Sequence, residues 1–100
     1  MATRNPDMPP MHPGELLRED IIPAVRASKT EIAAGLGISR QHLHDILAER
    51  KPVSAEVAVR LAKMFGSTTE TWVRLQGTYD AWHAQRAVDV SAVPRLGAAE

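Results

Sequence analysis

The fold of this chain is decided by residues 28–51, whose sequence is SKTEIAAGLGISRQHLHDILAERK. Ser28 is a favoured helix N-cap, and Glu31 three residues later completes a capping box, so a helix is predicted to begin here. Gly37 follows the last apolar residue of that helix, where a left-handed backbone costs little. Ser39 is then predicted to cap a second helix. The stretch therefore predicts two short helices joined by a tight turn.

The second of these helices has two distinct faces at about 100° per residue. Leu43, Ile46 and Leu47 cluster on one side. The opposite, polar side comprises Arg40, Gln41, His44 and Asp45. Such a face suits a DNA major groove, because Arg can bond O6 and N7 of guanine and Gln can bond N6 and N7 of adenine. An ordinary solvated face is the alternative, but the Gly-Ile-Ser turn between two capped helices favours DNA binding.

The composition is that of one small helical domain. Hydrophobic residues make up 44% of the 100 residues and aromatic residues only 4%, so an aliphatic core is predicted. The chain has no cysteine, which excludes a disulfide framework and a thiolate metal site. No apolar run is long enough to cross a membrane, and the first residues lack the apolar core of a signal peptide. We therefore expect a soluble cytoplasmic protein without membrane contact.

The net charge is zero, but the charges are unevenly distributed. Seven basic and four acidic residues lie between Arg26 and Lys63, a net charge of +3, whereas the remainder carries −3. A basic middle with acidic flanks is typical of a DNA-contacting unit joined to elements with other partners. A chance imbalance of this size is the alternative explanation.

The chain is expected to form one domain with two loosely structured ends. Proline-rich residues 1–13 predict an extended, flexible N-terminal arm. A first helix is expected from Gly14 to Ile22, with Pro23 ending or bending it. Residues 14–86 then form the helix-turn-helix domain and its C-terminal helix, and residues 87–100 are expected to be a disordered tail.

Two further helices are predicted after residue 51. Ser54 caps a fourth helix, and a capping box of Ser67 and Glu70 opens a fifth over about residues 68–86. The fifth helix carries a row of large side chains, Trp72, Leu75, Tyr79 and Trp82. Either the whole row is core, or its outer part is an interface for a second copy or another protein, since Trp and Tyr concentrate at interfaces.

Enzymatic chemistry is not predicted, and neither a metal nor another cofactor is expected. His42 and His44 are two residues apart on one helix and therefore point in different directions. Ser39 is committed to capping the backbone, and no third group orients His42 as a base. For Asp80 and His83, an exposed i, i+3 contact is expected rather than a catalytic pair.

Several short motifs occur in order between about Met11 and Arg86. The helix-turn-helix carries GISRQ at 37–41, followed by Leu43 and Ile46. The other motifs are HPGE at 12–15, VSAE at 53–56, RLAK at 60–63, WVRLQ at 72–76 and YDAW at 79–82. Together they resemble the HigA-type antitoxins of the Cro/phage-repressor-like (XRE) helix-turn-helix family.

The resemblance implies an all-α, five-helix repressor-like domain in which helices 2 and 3 form the helix-turn-helix. It implies a dimer that binds palindromic double-stranded operator DNA and represses its own toxin–antitoxin operon. It also implies that this dimer neutralises a RelE-like ribonuclease toxin that cuts messenger RNA. The family's DNA-contacting positions correspond here to Lys29, Thr30, Ser39, Arg40, Gln41, His44, Asp45, Arg50 and Lys51.

Residues 48–49 depart from the family pattern. Ala48-Glu49 stands where the family often has Asn-Gly after the recognition helix, which adds a negative charge near the phosphates. A stand-alone repressor without a toxin is the alternative function, and an interaction module that has lost DNA binding is a third. The sequence also leaves open whether the first or the fifth helix forms the dimer.

Overall fold

A computed structural model describes residues 8–97, and within that range the chain forms five helices and no strand. Helix α1 is one continuous helical segment, made of Pro13–Leu16, a π-helical turn at Leu17–Ile21, and Ile22–Ala24. The helices that follow are α2 (Lys29–Leu36), α3 (Arg40–Leu47), α4 (Ala55–Phe65) and α5 (Thr69–Ala87). The predicted all-α, five-helix architecture is confirmed.

Local capping explains where the central helices begin. The Ser28 hydroxyl accepts a hydrogen bond from the Glu31 N–H at 3.1 Å, and the Glu31 carboxylate accepts one from the Ser28 N–H at 3.2 Å. Ser39 and Ser54 each accept from the backbone N–H three residues later, at 2.9 Å and 3.2 Å. These bonds satisfy donors that a helix start otherwise leaves unpaired, as the sequence predicted.

The turn between α2 and α3 is a Schellman motif centred on Gly37. Gly37 has φ of 70°, in the left-handed region that glycine adopts without a Cβ penalty. Its N–H donates to Ala34 O at 3.1 Å, and the Ile38 N–H donates to Ala33 O at 3.0 Å. This pair of bonds closes α2 and sends the chain directly into α3.

All five helices contribute to one aliphatic core that contains a single tryptophan. The buried hydrophobic residues are Leu17, Ile32, Ala33, Leu36, Leu43, Ile46, Leu47, Val53, Val57, Ala58, Leu61 and Trp72. Helix α4 packs along α5, while α1 lies against α3 and α5. The apolar edge of α3 is therefore entirely inside the protein.

The structure corrects the start of the first helix. His12 and Pro13, expected in the flexible arm, are buried. His12 is the N-cap of α1, since its Nδ1 accepts from the Gly14 N–H at 2.8 Å. The His12 ring also packs edge-on against the Tyr79 ring, with centroids 4.7 Å apart. The part of the predicted arm in residues 1–7 lies outside the described residues.

The cap at the start of α1 depends on a neutral histidine. Burial lowers the pKa of His12, and the nearby carboxylates of Glu49 and Asp80 oppose that shift to a smaller extent. A neutral imidazole keeps one ring nitrogen free to accept a hydrogen bond. The environment of His12 therefore favours the form that caps the helix.

Two other predicted helix boundaries also need correction. Pro23 does not end α1, because the helix continues through it to Ala24 after the π-helical turn. The predicted capping box at the start of α5 is wrong. Thr68 is the N-cap and accepts from Thr71 N at 3.1 Å, whereas the Ser67 hydroxyl accepts from the Trp72 indole N–H.

The segment after α5 carries no helix in the residues that the structure describes. Residues 88–97 are exposed along their whole length, and a turn there joins Val93 N to Val90 O at 2.9 Å. The last residues of the predicted tail, 98–100, lie outside the described part of the chain.

Two glycines make a matched test of the packing between α1 and α3. A Cβ at Gly14 would lie 1.9 Å from the carbonyl oxygen of Ile46, whereas a Cβ at Gly77 would meet nothing within 4 Å. We expect Gly14→Ala to lower the free energy of unfolding by about 1–3 kcal/mol through overpacking. Gly77→Ala should raise it by about 0.5–1 kcal/mol, because alanine is the better helix former. Urea denaturation followed by circular dichroism measures both, and changes of the same sign would contradict this packing.

Candidate nucleic-acid interface

Helix α3 presents its polar edge to solvent because its opposite edge is held in the core. Leu43, Ile46 and Leu47 are buried on one side. On the other side Arg40, Gln41 and His44 are exposed and together line a shallow open depression. The structure thus brings together the side chains that the sequence predicted as base-contacting residues.

The remaining predicted contact residues lie on α2, at the start of α3, within α3 and in the loop after it. Lys29 and Thr30 are exposed on the first turn of α2, and Arg50 and Lys51 are exposed just after α3. The exposed Ser39 hydroxyl is engaged as the α3 N-cap. Eight of the nine predicted DNA-contacting residues are exposed, and the exception is the half-buried Asp45. Exposed cations therefore occur before and after the polar helix edge along the chain.

Asp45 is the acidic residue of the polar edge, and three neighbouring side chains contact its carboxylate. Its Oδ1 accepts from Gln41 Nε2 at 3.0 Å and from Arg50 Nη2 at 2.9 Å, and Lys51 Nζ lies 3.9 Å from its Oδ2. The hydrogen bond from Arg50 holds the pKa of the Asp45 carboxyl below its usual value, although burial opposes the shift. Asp45 is therefore ionised at neutral pH and occupied by donors of its own chain.

The loop after α3 folds back onto the same residue. The backbone N–H groups of Arg50 and Lys51 donate to the Asp45 carbonyl oxygen at 2.8 Å and 3.2 Å. This fold requires Glu49 to adopt a φ of 63°, a left-handed conformation that costs a non-glycine residue roughly 1–2 kcal/mol. Glu49 thus adopts a backbone conformation that glycine adopts most easily.

The Glu49 side chain is paired across the domain with α1. Its Oε2 lies 3.3 Å from Nη1 of Arg18, and the same guanidinium donates to the carbonyl oxygen of Leu47 at the end of α3. Arg18 therefore both closes the C-terminus of α3 and places a positive charge beside the Glu49 carboxylate. Pairing with a cation reduces the field that this carboxylate projects toward a phosphate.

Arg60 is a structural residue of the site that the sequence reasoning did not identify. From α4 its Nη1 donates to Leu36 O at 3.3 Å, and its Nη2 lies 3.0 Å from Glu56 Oε1. A Cβ at Gly37 would approach Arg60 Nη1 to 3.3 Å. The guanidinium therefore lies directly against the turn between α2 and α3. The RLAK motif indicated an arginine on this helix, but it did not indicate the contact with the turn.

Gln76 is a second residue that was missed. It is 6% exposed, and its Oε1 accepts from Val53 N at 2.8 Å while its Nε2 donates to Asp80 Oδ1 at 2.9 Å. These bonds tie the connector between α3 and α4 to α5. The sequence signal for a buried Gln76 was its position four residues after Trp72, which puts both side chains on the same helix face. The bond with Gln76 also shows that Asp80 has a structural partner.

The predicted interface row on α5 divides between core and surface. Trp72 is 1% exposed and belongs to the core, so of the two alternatives the core applies to this member of the row. Leu75, Tyr79 and Trp82 are half-buried. Arg86 stacks over the Trp82 ring with its guanidinium carbon 3.5 Å from the ring centroid. The outer half of α5 thus keeps partly exposed aromatic surface, because the core ends near its first turns.

Residues 8–97 contain neither a metal cluster nor a membrane-spanning helix. No group of three or more His, Asp or Glu side chains in this part of the chain is arranged to hold a metal ion. No helix of that region combines the length and apolar character that spanning a membrane requires.

Comparison with known proteins identifies relatives and similar structures of this chain. A helix-turn-helix family model matches residues 27–73. Virulence-associated protein I of Dichelobacter nodosus is 32% identical over 80 residues, which cover 80% of this chain and 74% of that protein. The solved structure of antitoxin GraA in complex with its operator has 35% identity and a TM-score of 0.80, covering 97% of this chain and all of that one.

A second solved structure agrees with the first. Pseudomonas aeruginosa antitoxin HigA with the higBA promoter is 33% identical, with a TM-score of 0.73. The similarity covers 78% of this chain and 85% of that chain. The fold described above is therefore shared with antitoxins whose structures contain operator or promoter DNA.

Proposed function

This chain belongs to the helix-turn-helix family of XRE type, and we propose that it is a DNA-binding antitoxin that represses its own toxin–antitoxin operon. The observation that carries the proposal is the exposed edge formed by Arg40, Gln41 and His44, opposite a fully buried apolar edge. A helix held by one edge can enter the major groove with the other. Its similarity to antitoxins bound to operator DNA supports this use of the edge.

Phosphate and base contacts divide between two groups of residues. Lys29 and Thr30 on α2, with the basic loop after α3, bind the phosphates and set the register of the protein on the duplex. Arg40 and Gln41 contact base edges, because their forked donors and acceptors distinguish guanine and adenine. Counterion release from the phosphate contacts supplies much of the affinity, and the base contacts supply the specificity.

The active form is a homodimer on a palindromic operator. Two copies place their α3 helices about 34 Å apart, which is one turn of DNA. The half-buried Leu75, Tyr79 and Trp82 supply surface for a second copy or for the toxin, since amphipathic aromatic residues are enriched at such interfaces. The protein acts in the cytoplasm, where the operator is.

The second partner is a RelE-like ribonuclease toxin, which the antitoxin neutralises by binding it. The antitoxins among the similar structures support this partner. A stand-alone repressor is the competing function, since other relatives are described only as transcriptional regulators. The protein encoded beside this one distinguishes the two functions, because a small basic ribonuclease is expected only for an antitoxin.

Removal of the Arg40 guanidinium tests the base contact. We expect Arg40→Ala to weaken binding to the protein's own promoter by about 1–3 kcal/mol while leaving binding to unrelated DNA nearly unchanged. Arg95→Ala is the matched control, because it removes the same charge from the exposed segment after α5. Mobility-shift titrations on both DNA fragments make the measurement. Equal losses for the two variants, or a loss on both fragments, would count against a base contact.

Co-expression with the adjacent gene product tests the partner and the oligomeric state together. We expect the purified chain to have twice the monomer mass by light scattering, and the neighbouring protein to co-purify with it. Ribonuclease activity of that protein should be absent in the complex and appear after the two are separated. A dimer that binds the promoter but retains no neighbour would favour the stand-alone repressor, and a monomer would contradict the dimeric site.

A further inference from the structure

Asp45 is an anion on the helix edge that is proposed to enter the major groove, close to the DNA phosphates. Its side chain is 15% exposed, so it is not simply a solvated surface charge. Three side chains of the same chain converge on it, namely Gln41, Arg50 and Lys51. A carboxylate in that position repels a phosphate, and its presence calls for a role other than direct phosphate binding.

The carboxylate determines which end of the Gln41 amide faces outward. An ionised carboxylate can only accept hydrogen bonds, so the amide must turn its Nε2 toward Asp45, as the 3.0 Å contact shows. The hydrogen bond from Arg50 lowers the pKa of the Asp45 carboxyl further below neutral pH, so the group acts as an acceptor only. Gln41 Oε1 is then the end of the amide turned away from Asp45. An exposed glutamine without such a neighbour could present either end.

The amide orientation has a direct consequence for base choice. An outward acceptor matches the exocyclic amino group of adenine, and the second hydrogen of Nε2 can reach adenine N7. Guanine and thymine present acceptors, O6 and O4, at the corresponding position in the major groove. These acceptors would face Oε1 without a hydrogen between them. The orientation therefore favours adenine over guanine on the contacted strand.

We propose that Asp45 is a positioning residue for base selection, which orients Gln41 so that the recognition helix prefers adenine at one operator position. The proposal rests on the proposed operator binding and adds to it the residue that sets the preference. Asp45 itself contacts no base in this arrangement. Its effect passes through the amide of Gln41, one helical turn away on α3.

The negative charge of Asp45 also affects the overall affinity for DNA, and the test must separate this effect from base preference. Arg50 and Lys51 lie against the carboxylate, so its neutralisation strengthens the phosphate contacts proposed for these two cations and raises the affinity for any DNA. Glu49 offers the matched control, because it lies in the adjoining loop and pairs with Arg18 rather than with Gln41. Glu49→Gln removes one negative charge without touching the amide.

The experiment measures base preference in mobility-shift titrations on the protein's own promoter. The operator position contacted by Gln41 is first located as the one whose base preference is lost in Gln41→Ala. At that position the unmodified protein should prefer adenine to guanine by about tenfold or more. Asp45→Asn, which can present either end of its own amide, should bring this ratio close to one. Asp45→Ala, which presents no acceptor, should do the same.

The controls separate orientation from charge and from folding. Glu49→Gln should keep the adenine preference even if its overall affinity rises, and thermal melting should show all variants folded. An unchanged preference in both Asp45 variants would overturn the inference while leaving operator binding intact. The inference is also overturned if Gln41→Ala changes the preference at no position. If the unmodified protein does not distinguish its promoter from unrelated DNA, the proposed function fails, and the inference fails with it.

Discussion

The burial of one edge of α3 is the constraint on which the site depends. Leu43, Ile46 and Leu47 are inside the core, so the rotation of the helix about its own axis is determined by the hydrophobic effect. Two contacts with α1 also hold α3 in this orientation. Gly14 allows α1 to approach the backbone of Ile46, and Arg18 donates to the carbonyl oxygen of Leu47. This orientation of α3 places the polar side chains of the opposite edge at the protein surface.

The acidic side chains of this surface are paired with basic ones. The site has basic residues before and after its polar edge along the chain, yet its two acidic residues are each paired with arginine. Asp45 is bonded to Arg50, and Glu49 lies beside Arg18. The arginine of each pair is exposed, and ion pairs at a protein surface contribute little to stability, so the role of these two pairs lies in geometry and local field. The local net charge of +3 comes from the excess of basic residues between Arg26 and Lys63 in a chain with no net charge.

Local signals in the sequence were sufficient for the central elements. The capping of Ser28, Ser39 and Ser54, the left-handed Gly37 and the two edges of α3 all depend on residues within about one helical turn of each other. The start of α5 shows the limit of such signals. Ser67 and Thr68 are both favourable N-cap residues. Thr68 is the N-cap in the structure, because the Ser67 hydroxyl accepts a hydrogen bond from the Trp72 indole.

Contacts between distant parts of the chain could not be predicted in the same way. The burial of His12 depends on its packing against Tyr79, and the role of Gln76 depends on the backbone of Val53. The row on α5 divided because the path of that helix across the core covers Trp72 and leaves Trp82 partly exposed. The pairing of Asp45 with Arg50 and Lys51 was missed for another reason, since the loop after α3 had to fold back to form it.

Methylation protection on the protein's own promoter tests the insertion of α3 most directly, because dimethyl sulphate attacks guanine N7 in the major groove. If α3 enters that groove, the bound protein should protect guanines in two patches on one face of the duplex, about 10 base pairs apart. Little protection of adenine N3 is expected in the minor groove between them. Protection confined to the minor groove, or a retarded complex whose major-groove guanines all remain reactive, would contradict the insertion of α3.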